Sequence, residues 1–323
     1  LIKYTGVYAR LLEQYILFKR HLGYKFVDAA YTYALFDRFS IENGEATIGI
    51  TKELAEKWAT KRPNESDSTR YRRVFYLAQF ANFLNVSGYP SHVPRLPRTY
   101  KTTFTPHIFS KTELHSLFEA SDRLGTTCNM SSCASVAPVL FRVLYGTGIR
   151  IGEAVALKDR DANLDEGYFV IRDSKNGQER MVPLSNSLTT VCRRYRESLR
   201  GVVVHGQHFF AAPNGSKCSA KATYEWFRKA IWKAEISHGG RGHGPRLHDL
   251  RHTFSVHSLA TMAEAGLDLY YSLPILSKYL GHQSLEATDR YVRLTSEMYP
   301  NVLSDVNKIC AYVFPEVAHH ETY

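Results

Sequence analysis

Two strings decide how this chain is read: Gly146-Thr147-Gly148-Ile149-Arg150-Ile151-Gly152-Glu153 and, further along, His248-Asp249-Leu250-Arg251-His252-Thr253-Phe254. Each sets an arginine at or inside a helical segment beside a second functional group. A third string, Leu280-Gly281-His282, is followed nine residues later by Tyr291. With Lys175, these strings assemble Arg150, Lys175, His248, Arg251, His282 and Tyr291.

The residue types fit attack on a phosphodiester. Such a centre repels nucleophiles and has a poor alkoxide leaving group, so an enzyme relying on side chains must supply the stabilising charge from them. Arginine suits this because its planar guanidinium donates two parallel hydrogen bonds to phosphate oxygens and stays charged. His248 and Arg251 are three residues apart and share a helix face. A neutral imidazole there takes a proton or donates to a phosphate oxygen. The adjacent His252 is expected to point elsewhere and to be structural. Lys175 sits in a hairpin turn beside Asn176-Gly177, a position that on its own reads as a solvated lysine. A tyrosine that becomes esterified to phosphate is a good leaving group, so the reaction is reversible without ATP.

At these residues the sequence resembles the tyrosine recombinases, the family of phage integrases, Xer-type resolvases and the integrases of conjugative transposons. The resemblance spans about residues 108–300 with all six motif positions present. It implies that Tyr291 is the nucleophile and that Arg150, Arg251 and His282 stabilise the pentacovalent phosphate. It gives His248 contact with the scissile phosphate and a part in proton transfer from the tyrosine, and makes Lys175 the acid that protonates the departing 5′ oxygen. Glu153 matches an acidic position that supports the site without reacting, orienting an arginine or histidine. The resemblance further implies double-stranded DNA as partner, four protomers on two duplexes, a Holliday junction intermediate, accessory DNA-bending or directionality proteins, and no metal or other cofactor.

Working outward, residues 157–184 contain Tyr168–Arg172 and Arg180–Leu184 around the Asn-Gly turn, a hairpin or small sheet. Elsewhere the periodicity is helical. The expected fold is therefore mainly α with a small antiparallel β-sheet (α+β). Before the catalytic part, apolar residues recur at helical spacing over residues 8–22, 29–41, 52–61 and 68–84. This four-helix unit fits a core-binding domain by its architecture, and with the catalytic domain would make a C-shaped DNA clamp. The domain reading is 1–90 for that unit, 91–107 for a linker, 108–300 for the catalytic domain, and 301–323 for a C-terminal helix or tail.

Arg70, Arg72 and Arg73 at the start of the fourth helix are either phosphate contacts or a solvated charged end. Pro90, Pro94, Pro97 and Pro106 make the following stretch stiff and extended, and Arg95, Arg98 and Lys101 make it basic. Those three are candidate DNA contacts in a linker that could equally be structural. Within the segment Thr223, Tyr224, Trp226, Arg228 and Lys229, the residues Tyr224, Arg228 and Lys229 are candidates for the major groove, where the family inserts a helix. A Trp-containing helix packed on the core is the other reading. The apolar stripe from Val302 to Phe314 would close its own core or dock on a neighbouring protomer.

Composition agrees with a nucleic-acid partner without demanding one: the net charge is +10 over 323 residues. Residues 1–100 hold 15 Lys+Arg against 9 Asp+Glu, so the excess is densest there. Five scattered cysteines lack metal-ligand spacing and read as reduced thiols. The chain shows neither an apolar run long enough for a membrane span nor a secretory leader, so a cytoplasmic, prokaryotic location is expected. It begins with Leu1 rather than Met, which leaves room for an upstream arm-binding domain.

These readings point to a site-specific recombinase, the integrase or transposase of a mobile element. Within the same chemistry stand a Xer-type dimer resolvase and a type IB topoisomerase-like relaxing enzyme. From another class stands a non-catalytic DNA-binding regulator of the same fold.

Overall fold

The computed structural model describes residues 2–98, 105–127, 135–172, 179–199, 207–212, 215–240, 244–281 and 291. Two compact units result, Leu1–Phe104 and Thr105–Tyr323.

The first unit contains helices α1 (Ala9–His21), α2 (Val27–Glu42), α3 (Lys52–Ala59) and α4 (Asp67–Val86). Their limits follow local chemistry. Gly23, at φ +88°, ends α1, while Thr51 and Ser66 cap α3 and α4 by accepting from the Leu54 and Thr69 amides. Asp37, buried in α2, accepts from the Thr5 and Gly6 amides at 2.7 and 3.1 Å and ties the entry of α1 to α2. An aromatic core of Tyr8, Tyr15, Tyr33, Phe36, Trp58 and Phe80 fills the bundle, each ring essentially out of water.

The basic start of α4 divides in a way its sequence does not reveal. Arg73 is only 4% exposed. Its guanidinium lies 5.0 Å from the Trp58 ring centroid, donates to Glu65 at 2.9 and 2.8 Å, and donates to the Thr60 carbonyl at 3.1 Å. Arg73 is packed against Trp58 inside the bundle with its charge paired to Glu65, so the expected DNA contact is corrected at Arg73. Arg70, half-buried, donates to the Ala59 carbonyl, and Arg72 is exposed.

The start of the proline-rich stretch is bonded to the first unit. Asn85 and Ser91 exchange hydrogen bonds at 2.7 and 2.9 Å, and the His92 amide donates to the Ile50 carbonyl. Arg95 and Arg98 beyond it are exposed, and Lys101 lies outside the described residues.

The second unit is helical around a small sheet. Its described helices are α5 (Lys111–Thr127), α6 (Ala137–Thr147), α7 (Ile151–Ala156), α8 (Asn186–Ser198), α9 (Ala220–Lys233), α10 (Asp249–Glu264) and α11 (Leu269–Leu280). The strands β1 (Ala162–Asn163), β2 (Tyr168–Ile171) and β3 (Arg180–Pro183) pair antiparallel in the order β1-β2-β3. The expected hairpin strands are thus present, with Phe169 opposite Val182 and Ile171 opposite Arg180. Phe169, Ile171 and Val182 face the core while Met181 faces out, the alternation expected of a one-sided sheet. Leu140, Phe141, Val143 and Leu144 of α6 are buried in that core. The Asn-Gly turn joining β2 to β3 lies outside the described residues.

Candidate active site

Helix α6 ends at Gly148, whose φ of +62° belongs to the left-handed region and whose amide donates to the Leu144 carbonyl. A Cβ at this glycine would run into the Phe254 ring and lie 3.1 Å from a Leu280 methyl. Only glycine lets α6, α10 and α11 approach so closely. The chain then extends through Arg150, the residue capping α7.

Glu153, at the third position of α7, holds Arg150 twice. One oxygen accepts from the Arg150 amide at 3.0 Å and the other from its Nη1 at 2.9 Å. The same carboxylate is gripped from β3, where Arg180 donates Nη2 at 2.7 Å and Nη1 at 3.2 Å. Glu153 is 5% exposed. Burial raises its pKa, but the hydrogen bonds from Arg180 and the Arg150 amide, together with the arginine charges, outweigh it and hold the carboxyl below its ordinary range.

Arg251 comes from α10 and is 2% exposed. Its Nη1 donates to the Gly148 carbonyl at 2.5 Å and its Nη2 to the Leu280 carbonyl at 2.8 Å. Arg150 Nη2 donates to the next carbonyl, Gly281, at 3.3 Å. Two arginines remote in sequence therefore converge on consecutive peptide groups immediately before His282. Burial and the neighbouring Arg150 lower the Arg251 pKa to about 10, so it remains charged at neutral pH.

His248 caps α10 beside Arg251. Its edge is open to solvent, yet the protein packed around it and the charges of Arg251 and Arg150 disfavour the imidazolium and lower its pKa to about 4. The ring is neutral at pH 7. It stands edge-on to His252, with centroids 4.9 Å apart and planes at 88°.

Tyr291 is buried, 3% exposed, among Ile108, Val256, Leu259, Leu276 and Leu280. Its hydroxyl lies 3.0 Å from His252 Nδ1. The expectation that His252 points away is therefore corrected. Measured from Arg251 the ring does turn aside, but four residues from His248 is one helical turn, which puts both histidines on one face. Lys175 and His282 lie outside the described residues.

Sequence reasoning overlooked Arg180 and the engagement of His252. Arg180 did leave a signal: it alternates with the buried Val182 on β3, so it shares the inward face.

The model of the phage integrase family matches residues 108–298, an interval holding all six motif positions. The chain belongs to the phage integrase family of tyrosine recombinases. Among relatives of this recombinase, the putative integrase/recombinase y4rB of Sinorhizobium fredii is 29% identical over 304 residues, covering 91% of this chain and 95% of that one. Tyrosine recombinase XerA of Pyrococcus horikoshii is 26% identical over 268 residues, covering 83% and 82%. A solved lambda integrase tetramer bound to a Holliday junction is similar in fold, with a TM-score of 0.56 at 17% identity over 84% of this chain and 76% of that chain. Mainly helical architecture with a small antiparallel sheet is thus the fold of the family.

Helix α9 of the recombinase has two faces. Thr223, Phe227, Ala230 and Ile231 are buried, and Trp226 packs against the core, as the core-packing reading expects. Tyr224, Arg228 and Lys229 lie on the exposed side, with the Lys229 ammonium 4.2 Å from the Trp226 ring centroid. Among the described residues no helix is long and apolar enough to cross a membrane.

Proposed function

We propose that the chain is a site-specific DNA recombinase of a mobile element, breaking and rejoining strands through a 3′-phosphotyrosyl bond on Tyr291. The observation that carries this reading is the convergence of Arg150 and Arg251 on the Leu280–Gly281 carbonyls, in a unit that also seats His248 and Tyr291. In the proposed step the Tyr291 hydroxyl gives its proton to an imidazole of α10 as its oxygen bonds to phosphorus, the bond to the 5′ oxygen breaks, and that oxygen takes a proton from Lys175. The two guanidiniums and His282 stabilise the extra negative charge of the pentacovalent state. The neutral His248 donates to a phosphate oxygen. The freed 5′ hydroxyl of another strand then attacks the phosphotyrosine and restores the phenol.

In this reading the two units clamp one duplex, and four protomers on two duplexes pass through a Holliday junction. Arg95, Arg98, Lys101, Arg72 and the exposed side of α9 supply contacts to DNA. Similarity to y4rB over nearly the whole of both chains supports an integrase role. Similarity to tyrosine recombinase XerA favours a second reading, a Xer-type dimer resolvase.

The test incubates the protein with DNA flanking its own gene, quenches with detergent and locates the covalent adduct by peptide mass. An adduct on Tyr291 that disappears in Tyr291→Phe, while DNA binding persists, is the expected result. Attachment surviving in Tyr291→Phe would move the nucleophile elsewhere. Sequencing the joined products separates insertion and excision of an element from resolution at one site, and relaxed plasmid without junctions would mark a topoisomerase.

A further inference from the structure

We propose that His252 takes the proton of Tyr291 during attack on the phosphate and returns it on rejoining. The inference rests on Tyr291 being the nucleophile and identifies the base that serves it. Three observations carry it. His252 Nδ1 and the Tyr291 hydroxyl are 3.0 Å apart, a distance at which a proton passes directly between them. The tyrosine ring packs among Val256, Leu259, Leu276 and Leu280, which holds its hydroxyl against His252. His252 sits one turn after His248 on a rigid helix, with Arg251 of the same helix bonded at both ends of its guanidinium, so the base and the phosphate-binding groups keep fixed spacing.

The pairing separates two duties that a single histidine would otherwise carry. His248, beside Arg150 and Arg251, is placed for the phosphate oxygens. His252, in contact with the phenol, is placed for the nucleophile. In the step, Tyr291 donates its hydrogen bond to an unprotonated Nδ1 while Nε2 keeps its hydrogen. As the oxygen–phosphorus bond forms, the proton moves to Nδ1 and the imidazole becomes imidazolium. The phosphorus–O5′ bond breaks, and O5′ is protonated by the acid assigned above. On rejoining, the 5′ hydroxyl loses its proton to that group, attacks phosphorus and expels the phenolate, which recovers its proton from Nδ1. No oxidant, nucleotide or further co-reactant enters the balance.

The experiment measures single-turnover attachment to a nicked suicide duplex carrying the cleavage site mapped with wild-type protein. It compares wild type, His252→Ala, His252→Asn and His248→Asn, with DNA affinity measured in parallel. His252→Ala is expected to attach about 100-fold or more slowly with affinity unchanged, the size of a lost general base. Added imidazole should restore at least tenfold, more strongly with more basic imidazoles, which also shows that the variant is folded. His252→Asn keeps a short polar group near Nδ1 without its basicity and should stay slow. Attachment at the wild-type rate in His252→Ala, or in His252→Asn, would overturn proton transfer by this residue. Rescue by imidazole in His248→Asn but not in His252→Ala would overturn it by assigning the base to His248. Absence of an adduct on Tyr291 in wild type would instead sink the nucleophile reading, a result distinct from a defect confined to the His252 variants.

Discussion

Arg180 of β3 closes two hydrogen bonds onto the buried carboxylate of Glu153 on α7, at 2.7 and 3.2 Å. It also donates Nε to the Tyr279 carbonyl at 3.0 Å, so one side chain joins the sheet, α7 and the end of α11. Glu153 in turn aims Arg150. Arg150, proposed above to bind the phosphate, is thus held through a carboxylate by a second arginine.

Arg180→Ala leaves Glu153 buried with half of its neutralising charge removed. Breaking such a pair costs about 3 kcal/mol. Denaturant unfolding of the second unit should record that loss, and attachment should slow because Arg150 loses its fixed direction. Arg180→Lys, which offers a point charge without the fork, should recover only part of either. Equal stability of Arg180→Ala and wild type would dismiss the coupling.

His248 should titrate far below the usual histidine value. Its pKa near 4 arises from packing first and from Arg251 and Arg150 next, so removing a guanidinium must raise it. NMR titration should show the His248 ring neutral at pH 6, and its titration moving upward in Arg150→Gln. Between pH 6.5 and about 4 the unfolded chain binds a proton that the folded chain refuses. This contribution to stability is complete above that window and is lost as the pH falls through it. A His248 resonance titrating at the ordinary value would contradict the electrostatic crowding.

What was legible in the sequence was whatever local spacing determines. The four N-terminal helices, the strands flanking the Asn-Gly turn and the arginine at the start of α7 all follow from periodicity and caps. Arg150, Arg251 and Tyr291 were legible through their motifs, although no spacing rule states that two arginines will end on adjacent carbonyls. Arg73 was misread because three basic residues in a short run look alike. One of them turns onto Trp58 and Glu65 only because helix rotation points it inward. His252 was misread by comparing it with its neighbour Arg251 instead of with His248 one turn earlier. Both errors concern where a side chain points after tertiary packing, which composition does not encode.

The division of the basic residues can be measured. Arg73→Ala should cost about 3 kcal/mol of stability in the first unit, since its partner Glu65 is left with a buried charge. It should leave the salt dependence of DNA binding unchanged. Arg95→Ala and Arg98→Ala should behave oppositely, with no loss of stability. Each should reduce the slope of log affinity against log salt by about 0.9, the signature of one lost phosphate contact. A slope change in Arg73→Ala without unfolding would restore it as a DNA contact.

Lys175 lies outside the described residues, and its proposed duty is best examined through the leaving group. If its ammonium protonates the departing 5′ oxygen, Lys175→Ala should slow cleavage of ordinary DNA about 100-fold or more, the range of a lost general acid. A 5′-bridging sulfur leaves as a thiolate and needs no proton. On that substrate Lys175→Ala should cleave at close to the wild-type rate, whereas the Arg251→Ala defect should persist because the phosphate still needs charge. Lys175→Ala with the same defect on both substrates would remove Lys175 as the acid and leave it a phosphate-binding role. The His252→Ala defect should also survive the sulfur substitution, because the proton on the attacking tyrosine must still be removed whatever group leaves.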